Sequence, residues 1–307
     1  MLQQVFLILV QVFTLFIMIG AGYLVGKRKK IKESGISGLV YLMTHVSLPC
    51  AIIKSLTVAG SPELLKSIGY AFFVIIVITT LMAATSLLLY RKHEKAQRTV
   101  LQIGCVYGNS AFIGIALVQA VLGDNAVIYA TLIVIVETIH MLLYCELTMT
   151  NGKFLIWKAL LTPGVIGFVI GLARLLLNIM FPTPIHSAIV TMSGMNTPLA
   201  MLIVGIQMSK ADIKTVFNQK DLYSCALIKL VVQPIILALV MLPLQLPIIA
   251  YRTIVICKGT TQSAVLSAYA QDYGQDARLG SQLIALTSIM QIVTLPLITA
   301  LTQALIS

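Results

Sequence analysis

The sequence predicts an all-α integral membrane protein with ten transmembrane helices, arranged as two inverted repeats of five helices. Three observations support this fold class. Of the 307 residues, 59% are hydrophobic and only 10% are charged, whereas a soluble domain carries about 25% charged residues. Apolar runs long enough to cross a bilayer recur along the whole chain. Basic residues are concentrated in alternate connections between these runs.

The apolar runs are joined by short connections that leave no room for a soluble domain. A transmembrane helix needs about 20 mostly apolar residues. Runs of this kind cover residues 4–26, 36–56, 67–90, 99–121, 125–146, 157–180, 184–208, 221–243, 247–271 and 279–305, here named spans 1 to 10. We therefore expect one membrane domain over residues 1–307, with one repeat over 1–150 and the other over 151–307.

The net charge of +11 is mainly a signal of orientation. Lys and Arg are enriched in the odd-numbered connections, and the positive-inside rule places these connections in the cytoplasm and both termini outside. Span 1 is expected to be a retained helix, because the basic block at 27–30 follows it instead of preceding it. The basic residues form no folded polar face, so no nucleic-acid partner is expected. The expected location is the plasma membrane.

The two halves of the chain share features at a spacing of about 150 residues, and interrupted helices at matching positions are typical of secondary transporters. Pro49 lies near the middle of span 2, and Pro198 occupies the matching place in span 7. Both prolines are predicted to kink their helices. Gly22 of span 1 matches Gly171 of span 6. Because each half has an odd number of spans, the second half enters the membrane from the opposite side.

Spans 4 and 9 each contain a polar, glycine-containing patch at mid-depth, where unwound backbone is tolerated only if it is buried or lines a cavity. We predict that both helices are broken there and that the two breaks cross near the midplane. Positive N-terminal ends of half-helices favour anions. The predicted substrate-binding residues are Tyr107, Gly108, Asn109 and Ser110 in span 4, and Lys258, Gly259, Thr260, Thr261 and Gln262 in span 9.

Lys258 is the most informative of these residues. A charge at the centre of a span costs about 2.5–3.5 kcal/mol on insertion scales, and such residues usually pair or serve a pathway. No acidic residue lies beside Lys258 in the sequence. Its partner is therefore an anionic substrate, a carboxylate from another helix, or the carbonyl groups freed by the break.

Glu137 and His140 lie three residues apart in span 5 and share one helix face. A protonatable carboxylate beside an imidazole suits a proton relay. Alternatively, Glu137 is the permanent counter-ion of Lys258 or of Lys229 in span 8. Lys229 itself either snorkels toward the cytoplasmic side or faces the core and balances Glu137.

Other motifs give no sign of catalysis or metal binding. The five cysteines are scattered within apolar runs and are predicted to be reduced packing residues. No metal-ligand spacing and no nucleotide or protease motif is present, so neither an enzyme nor a metal or cofactor is expected. The patterns Gly22-x-x-x-Gly26 and Gly167-x-x-x-Gly171 predict close approach of neighbouring helices.

Taken in order along the chain, these motifs resemble the auxin efflux carrier family in its short bacterial form. The resemblance rests on Leu48-Pro49, Tyr107-Gly108-Asn109-Ser110-Ala111-Phe112, Thr197-Pro198-Leu199-Ala200 and the break at 259–263. It implies the inverted-repeat fold shared with bile acid sodium symporters. Spans 1, 2, 6 and 7 would form a scaffold, and spans 3–5 and 8–10 a mobile transport domain. It also implies elevator-like transport of organic anions, either auxin or malate- and malonate-like carboxylates, and a possible homodimer.

The sequence departs from the plant members of this family at the breaks. Plant carriers have prolines there, whereas this chain has Gly108 and Gly259 with Lys258 adjacent. This difference favours a strongly anionic substrate such as a dicarboxylate. Protons or the anion's own gradient are the expected driving force. One alternative is a sodium-coupled organic anion symporter, against which Lys258 argues. The other is a membrane sensor or structural protein that transports nothing.

Overall fold

The computed structural model describes residues 2–58, 60–149, 160–210, 220–263 and 266–305. Most of connections 5 and 7, whose basic residues support the predicted topology, lie outside these ranges. The described α-helices are α1 Leu2–Lys27, α2 Glu33–Leu42, α3 Leu48–Ser55, α4 Pro62–Ser86, α5 Lys95–Val106, α6 Ile115–Leu122, α7 Val127–Met149, α8 Pro163–Leu177, α9 Thr183–Gly194, α10 Asn196–Lys210, α11 Lys220–Leu227, α12 Gln233–Met241, α13 Ile248–Lys258, α14 Leu266–Asp272 and α15 Ala277–Ala304.

Helices long and apolar enough to cross a membrane account for much of the described chain. Six stretches qualify, namely Glu33–Ser55, Pro62–Ser86, Asp124–Cys145, Thr183–Ser209, Lys220–Leu244 and Ala277–Thr302. Shorter apolar helices cover Phe13–Lys27, Ser110–Leu122 and Pro163–Leu177. The described part is thus all-helical and multi-pass. The count of ten spans and the inverted relation of the halves remain predictions.

Local capping moves some helix ends away from the predicted spans. Helix α4 begins at Pro62, five residues before the start of span 3, because the Ser61 hydroxyl accepts a hydrogen bond from the Leu64 N–H at 3.1 Å. Proline suits the first turn, where its missing N–H is not needed. Helix α8 ends at Leu177 and is capped by Asn178, which adopts a left-handed conformation (φ 50°) that asparagine tolerates well.

Prolines coincide with interruptions of the long helices. A π-helical segment, Met43–Ser47, precedes α3 with Pro49 in its first turn, and a second segment, Ile228–Val232, precedes α12 with Pro234 in its first turn. Proline has no N–H to continue the α-helical ladder, so the turn before it widens. Pro198 is the third residue of α10, which begins after a break at Met195.

Glycines bring helices of the two halves into backbone contact. A Cβ built on Gly22 would overlap the backbone of Leu202 in α10, and one built on Gly205 would overlap the Ile19 carbonyl oxygen of α1. A Cβ on Gly167 of α8 would lie 3.0 Å from the Pro49 Cα of α3. The predicted close approach at the glycine patterns is therefore confirmed.

The helices associate in two groups. Helix α1 packs on α10, and α3 packs on α8 and α9, which forms one group (α1–α3 with α8–α10). The other group (α4–α7 with α11–α15) surrounds α7, because α7 contacts α4, α5, α6 and α13. In Asp124–Cys145, 72% of an apolar stretch of 18 residues is buried inside the protein. Groups projecting from α7 are thus held at the centre of the protein.

Candidate functional site

The breaks in spans 4 and 9 are present and contact each other. Helix α5 ends at Val106 and α13 ends at Lys258, and the chain between the half-helices forms an isolated antiparallel bridge between Gly108 and Gln262. The Asn109 N–H donates to the Thr261 carbonyl at 2.8 Å, and the Ser263 N–H donates to the Tyr107 carbonyl at 3.1 Å. These bonds satisfy backbone groups freed by the breaks.

A buried lysine lies at the C-terminal end of each half-helix that enters the crossing. The Lys229 ammonium donates to the Val106 carbonyl at 3.2 Å, and Val106 is the last residue of α5. Lys258 is the last residue of α13. Cations stabilise the partial negative charge of a helix C-terminus. Lys229 is fully buried, so it faces the core and does not snorkel.

The Lys258 ammonium has a carboxylate partner from another helix. It lies 2.7 Å from Glu137 Oε1 and 3.0 Å from Thr79 Oγ1, to which it donates. The second carboxylate oxygen of Glu137 accepts the Ser110 hydroxyl at 2.6 Å. Of the partners considered from the sequence, this structure contains the internal carboxylate.

The buried charges at the crossing do not cancel. Glu137, Lys229 and Lys258 are the ionisable Asp, Glu, Lys and Arg side chains that are buried in the described part of the chain. If all three groups carry their ordinary charges, two ammonium groups against one carboxylate leave one positive charge in excess. Such an excess in a low-dielectric interior attracts anions.

His140 lies near this cluster but belongs to a different hydrogen-bond group. Its Nδ1 is 2.7 Å from the Tyr107 hydroxyl, and its Nε2 is 3.3 Å from Thr80 Oγ1. Within the described residues, no hydrogen bond joins His140 to Glu137. The two residues share a helix face, as expected from their spacing, but a direct proton relay between them is absent from this arrangement.

Side chains of span 9 hold the break in place. Thr260 Oγ1 donates to the Cys257 carbonyl at 2.7 Å, and the Thr261 N–H donates to Gln291 Oε1 at 3.1 Å. The Gln262 amide oxygen accepts the Thr287 hydroxyl. Gly259 caps α13. In this structure these predicted binding residues contact protein groups, and all of them are buried.

A cavity of about 220 Å³ opens beside the crossing. Tyr107, Gly108, Asn109, Ala111, Phe112, Glu137 and Ser263 line it, together with residues of spans 2, 5 and 6. Asn109 lines this cavity and is only 3% exposed, and its side-chain amide makes no hydrogen bond to other described residues. Asn109 also precedes the helical run from Ser110 to Leu122, whose first N–H groups have no intrahelical partner.

A second cavity, of about 210 Å³, lies at the other end of α3. Lys54 and Asp124 line it and form an ion pair at 3.5 Å. Nearby, Ser55 Oγ of α3 and Thr131 Oγ1 of α7 are 3.2 Å apart. These contacts join the two helix groups beside the second cavity.

Some residues that contact the site are not among those predicted from the sequence. Thr79 and Thr80 lie within the apolar span 3, where nothing distinguishes them from other threonines. Thr287 and Gln291 do carry a signal, because they are polar, four residues apart and thus on one face of span 10. Cys105 and Cys225, which are predicted to be reduced packing residues, have their sulfur atoms 3.3 Å apart, and both thiols are free.

Comparison with known families gives one match. A family model described as "Membrane transport protein" matches the chain in two segments, residues 7–152 and 146–299. Together these segments cover nearly the whole chain, and they meet where the two repeats are predicted to meet. A search of curated proteins gave no match.

Proposed function

The chain belongs to the membrane transport protein family, the auxin efflux carrier family that its motifs resemble, and from this premise we propose that it is a secondary transporter of small organic anions. The proposed substrates are carboxylates such as malate or malonate, or auxin-like acids. We place the carboxylate in the cavity beside the crossing of the two broken spans.

The unpartnered Asn109 amide is the observation that carries this proposal. The side-chain amide of Asn109 lines the cavity and makes no hydrogen bond to other described residues, so its donor and acceptor groups are free to bind a ligand there. The first N–H groups of the helical run that begins at Ser110 lie at the same place, and such groups favour anions. Glu137 lines the cavity and Lys229 and Lys258 do not, so the two buried lysines would attract an anion to the crossing only from behind the cavity wall.

An alternating-access mechanism of the elevator type is proposed from the two helix groups. One group would be the scaffold and the other the moving transport domain that carries the crossing. The two cavities lie toward opposite ends of α3, and polar contacts between the groups occur beside the second one. Movement of the crossing between the cavities would expose the substrate to one side and then to the other.

We propose that transport is driven by protons or by the anion's own gradient. His140 is the proposed titrating group, because imidazole changes charge near neutral pH. Its ring contacts the hydroxyl groups of Tyr107 and Thr80. Tyr107 lies two residues before Asn109, and Thr80 follows Thr79, which accepts a hydrogen bond from Lys258. The proposed location is the plasma membrane, with the odd-numbered connections in the cytoplasm.

The decisive experiment is uptake by purified protein in liposomes. Radiolabelled mono- and dicarboxylates, auxin-like acids and neutral analogues would be offered, with sodium replaced by choline in parallel samples. We expect saturable uptake of a carboxylate that survives the replacement of sodium. Uptake that requires sodium would support the sodium-coupled alternative, and no uptake of any acid would contradict the proposal.

A further inference from the structure

The surroundings of the Lys258 ammonium resemble a binding site for a small cation. Three separate helices contribute to it, through Glu137 of α7, Thr79 of α4 and Lys258 of α13. The ammonium nitrogen lies 2.7 Å from a carboxylate oxygen of Glu137 and 3.0 Å from the hydroxyl oxygen of Thr79. The Lys258 side chain is fully buried. It therefore occupies a closed, oxygen-lined space and does not extend along a surface.

The position at the end of α13 adds to the preference for a positive charge. Lys258 is the last residue of that helix, and a basic residue in the last turn of a helix is favoured by the partial negative charge of the C-terminus. The Glu137 carboxylate is oriented by the Ser110 hydroxyl at 2.6 Å. This bond uses the carboxylate oxygen that does not contact the ammonium, so it does not depend on the Lys258 side chain.

We propose that the Lys258 ammonium is a tethered cation in a site formed by Glu137 and Thr79, and that shortening Lys258 opens this site to free primary ammonium ions. A methylammonium or ethylammonium ion carries the same three N–H donors and fits the space left by the lysine stem. The proposal goes beyond the assignment of the substrate, and it rests on the proposed transport function only for its uptake experiment.

The tethered cation explains why no free cation is needed to balance Glu137. A buried carboxylate without a partner is strongly unfavourable. A free ion would have to bind before each cycle of transport, whereas a lysine side chain is always present. The site thus supplies its own positive charge in every state in which the three helices remain together.

Thermal unfolding of purified Lys258→Ala tests the site without any knowledge of the substrate. We expect ethylammonium chloride to raise the Tm of this variant by about 2–4 °C at concentrations several times its dissociation constant. The wild-type protein should show no such rise. Tetramethylammonium, which has the same charge but no N–H donors, should have no effect on the variant. Equal responses of variant and wild type would overturn the proposal.

The double variant Lys258→Ala/Glu137→Gln provides the matched control. It lacks both the ammonium and the carboxylate, so ethylammonium should not stabilise it. If it responds as strongly as Lys258→Ala, the ion binds elsewhere and the proposal is wrong. A response of Lys258→Ala to sodium but not to ethylammonium would also overturn the assignment as an ammonium site.

Uptake in liposomes gives the second readout. We expect Lys258→Ala to lose uptake by at least about ten-fold and to recover part of it when ethylammonium is present on both sides. Full uptake without any added ion would contradict the proposal. If neither protein transports any carboxylate, the proposed function fails, whereas the Tm experiment still decides the cation site.

Discussion

The Lys258 ammonium and the Glu137 carboxylate, 121 residues apart in the chain, form a buried ion pair at 2.7 Å beside the crossing of two broken helices. The pair joins the end of α13 to the middle of α7. Its geometry and its burial lead to the first of five predictions.

Glu137→Gln should destabilise the protein by about 3–5 kcal/mol, because it leaves the Lys258 ammonium buried without a carboxylate. Urea or thermal unfolding in detergent measures this loss. Replacing both partners, as Glu137→Gln/Lys258→Met, should recover most of the stability. Glu63→Gln, at an exposed position in the first turn of α4, serves as control and should change stability by less than about 1 kcal/mol. If Glu137→Gln unfolds with the same free energy as the wild type, the ion pair contributes nothing to stability.

Asn109→Ala should lower carboxylate uptake by about ten-fold or more, since a hydrogen bond to a charged group is worth about 1.5–3 kcal/mol. Its Tm should change little, because the amide makes no hydrogen bond within the described protein. Gln271→Ala, which removes an exposed amide, should leave uptake unchanged. The assignment of Asn109 fails if both variants transport equally well.

Gly205→Ala should lower the free energy of unfolding by about 1–3 kcal/mol, because the new methyl group overlaps the Ile19 carbonyl of α1. A Cβ at Gly69 of α4 meets nothing within 4 Å. Gly69→Ala should therefore stabilise the helix by about 0.5–1 kcal/mol. Unfolding of both variants in the same detergent measures the contrast, and similar values would contradict the close packing of α1 on α10.

A disulfide between Ser55→Cys and Thr131→Cys should stop transport if the two helix groups move against each other. The native hydroxyl oxygens are 3.2 Å apart and belong to different groups. The control joins Ser267→Cys to Ser281→Cys, whose hydroxyl oxygens are 3.0 Å apart within one group. Both pairs would be made in a variant without the native cysteines. Inhibition by the first pair alone, reversed by reduction, is expected; continued transport with the first pair fully oxidised would exclude an elevator movement.

His140→Gln should abolish the response of uptake to a pH gradient while leaving uptake at symmetric pH measurable. Glutamine keeps a polar group near Tyr107 but cannot titrate. His45→Gln, at an exposed position outside both cavities, should respond to the gradient as the wild type does. Uptake by both variants would be compared over pH 5.5 to 7.5, roughly the range in which imidazole titrates. An unchanged gradient response in His140→Gln would remove this residue from coupling.

The amino-acid sequence by itself determined that this is a multi-pass helical membrane protein and where its chain is broken. Long apolar runs require helices in a bilayer, and glycine with polar residues at mid-span marks the breaks around Gly108 and Gly259. These are local properties, so they can be read from neighbouring residues.

Only the tertiary structure decided which groups meet at the breaks. Lys258 could have faced a substrate, a carboxylate or free carbonyls, and packing of α13 against α7 selected Glu137. Packing also gave His140 hydrogen-bond partners other than Glu137 and left the Asn109 side-chain amide in a cavity. Partners more than 100 residues apart leave no trace in the local pattern, because a carboxylate or an amide suits many helix faces equally until the helices pack.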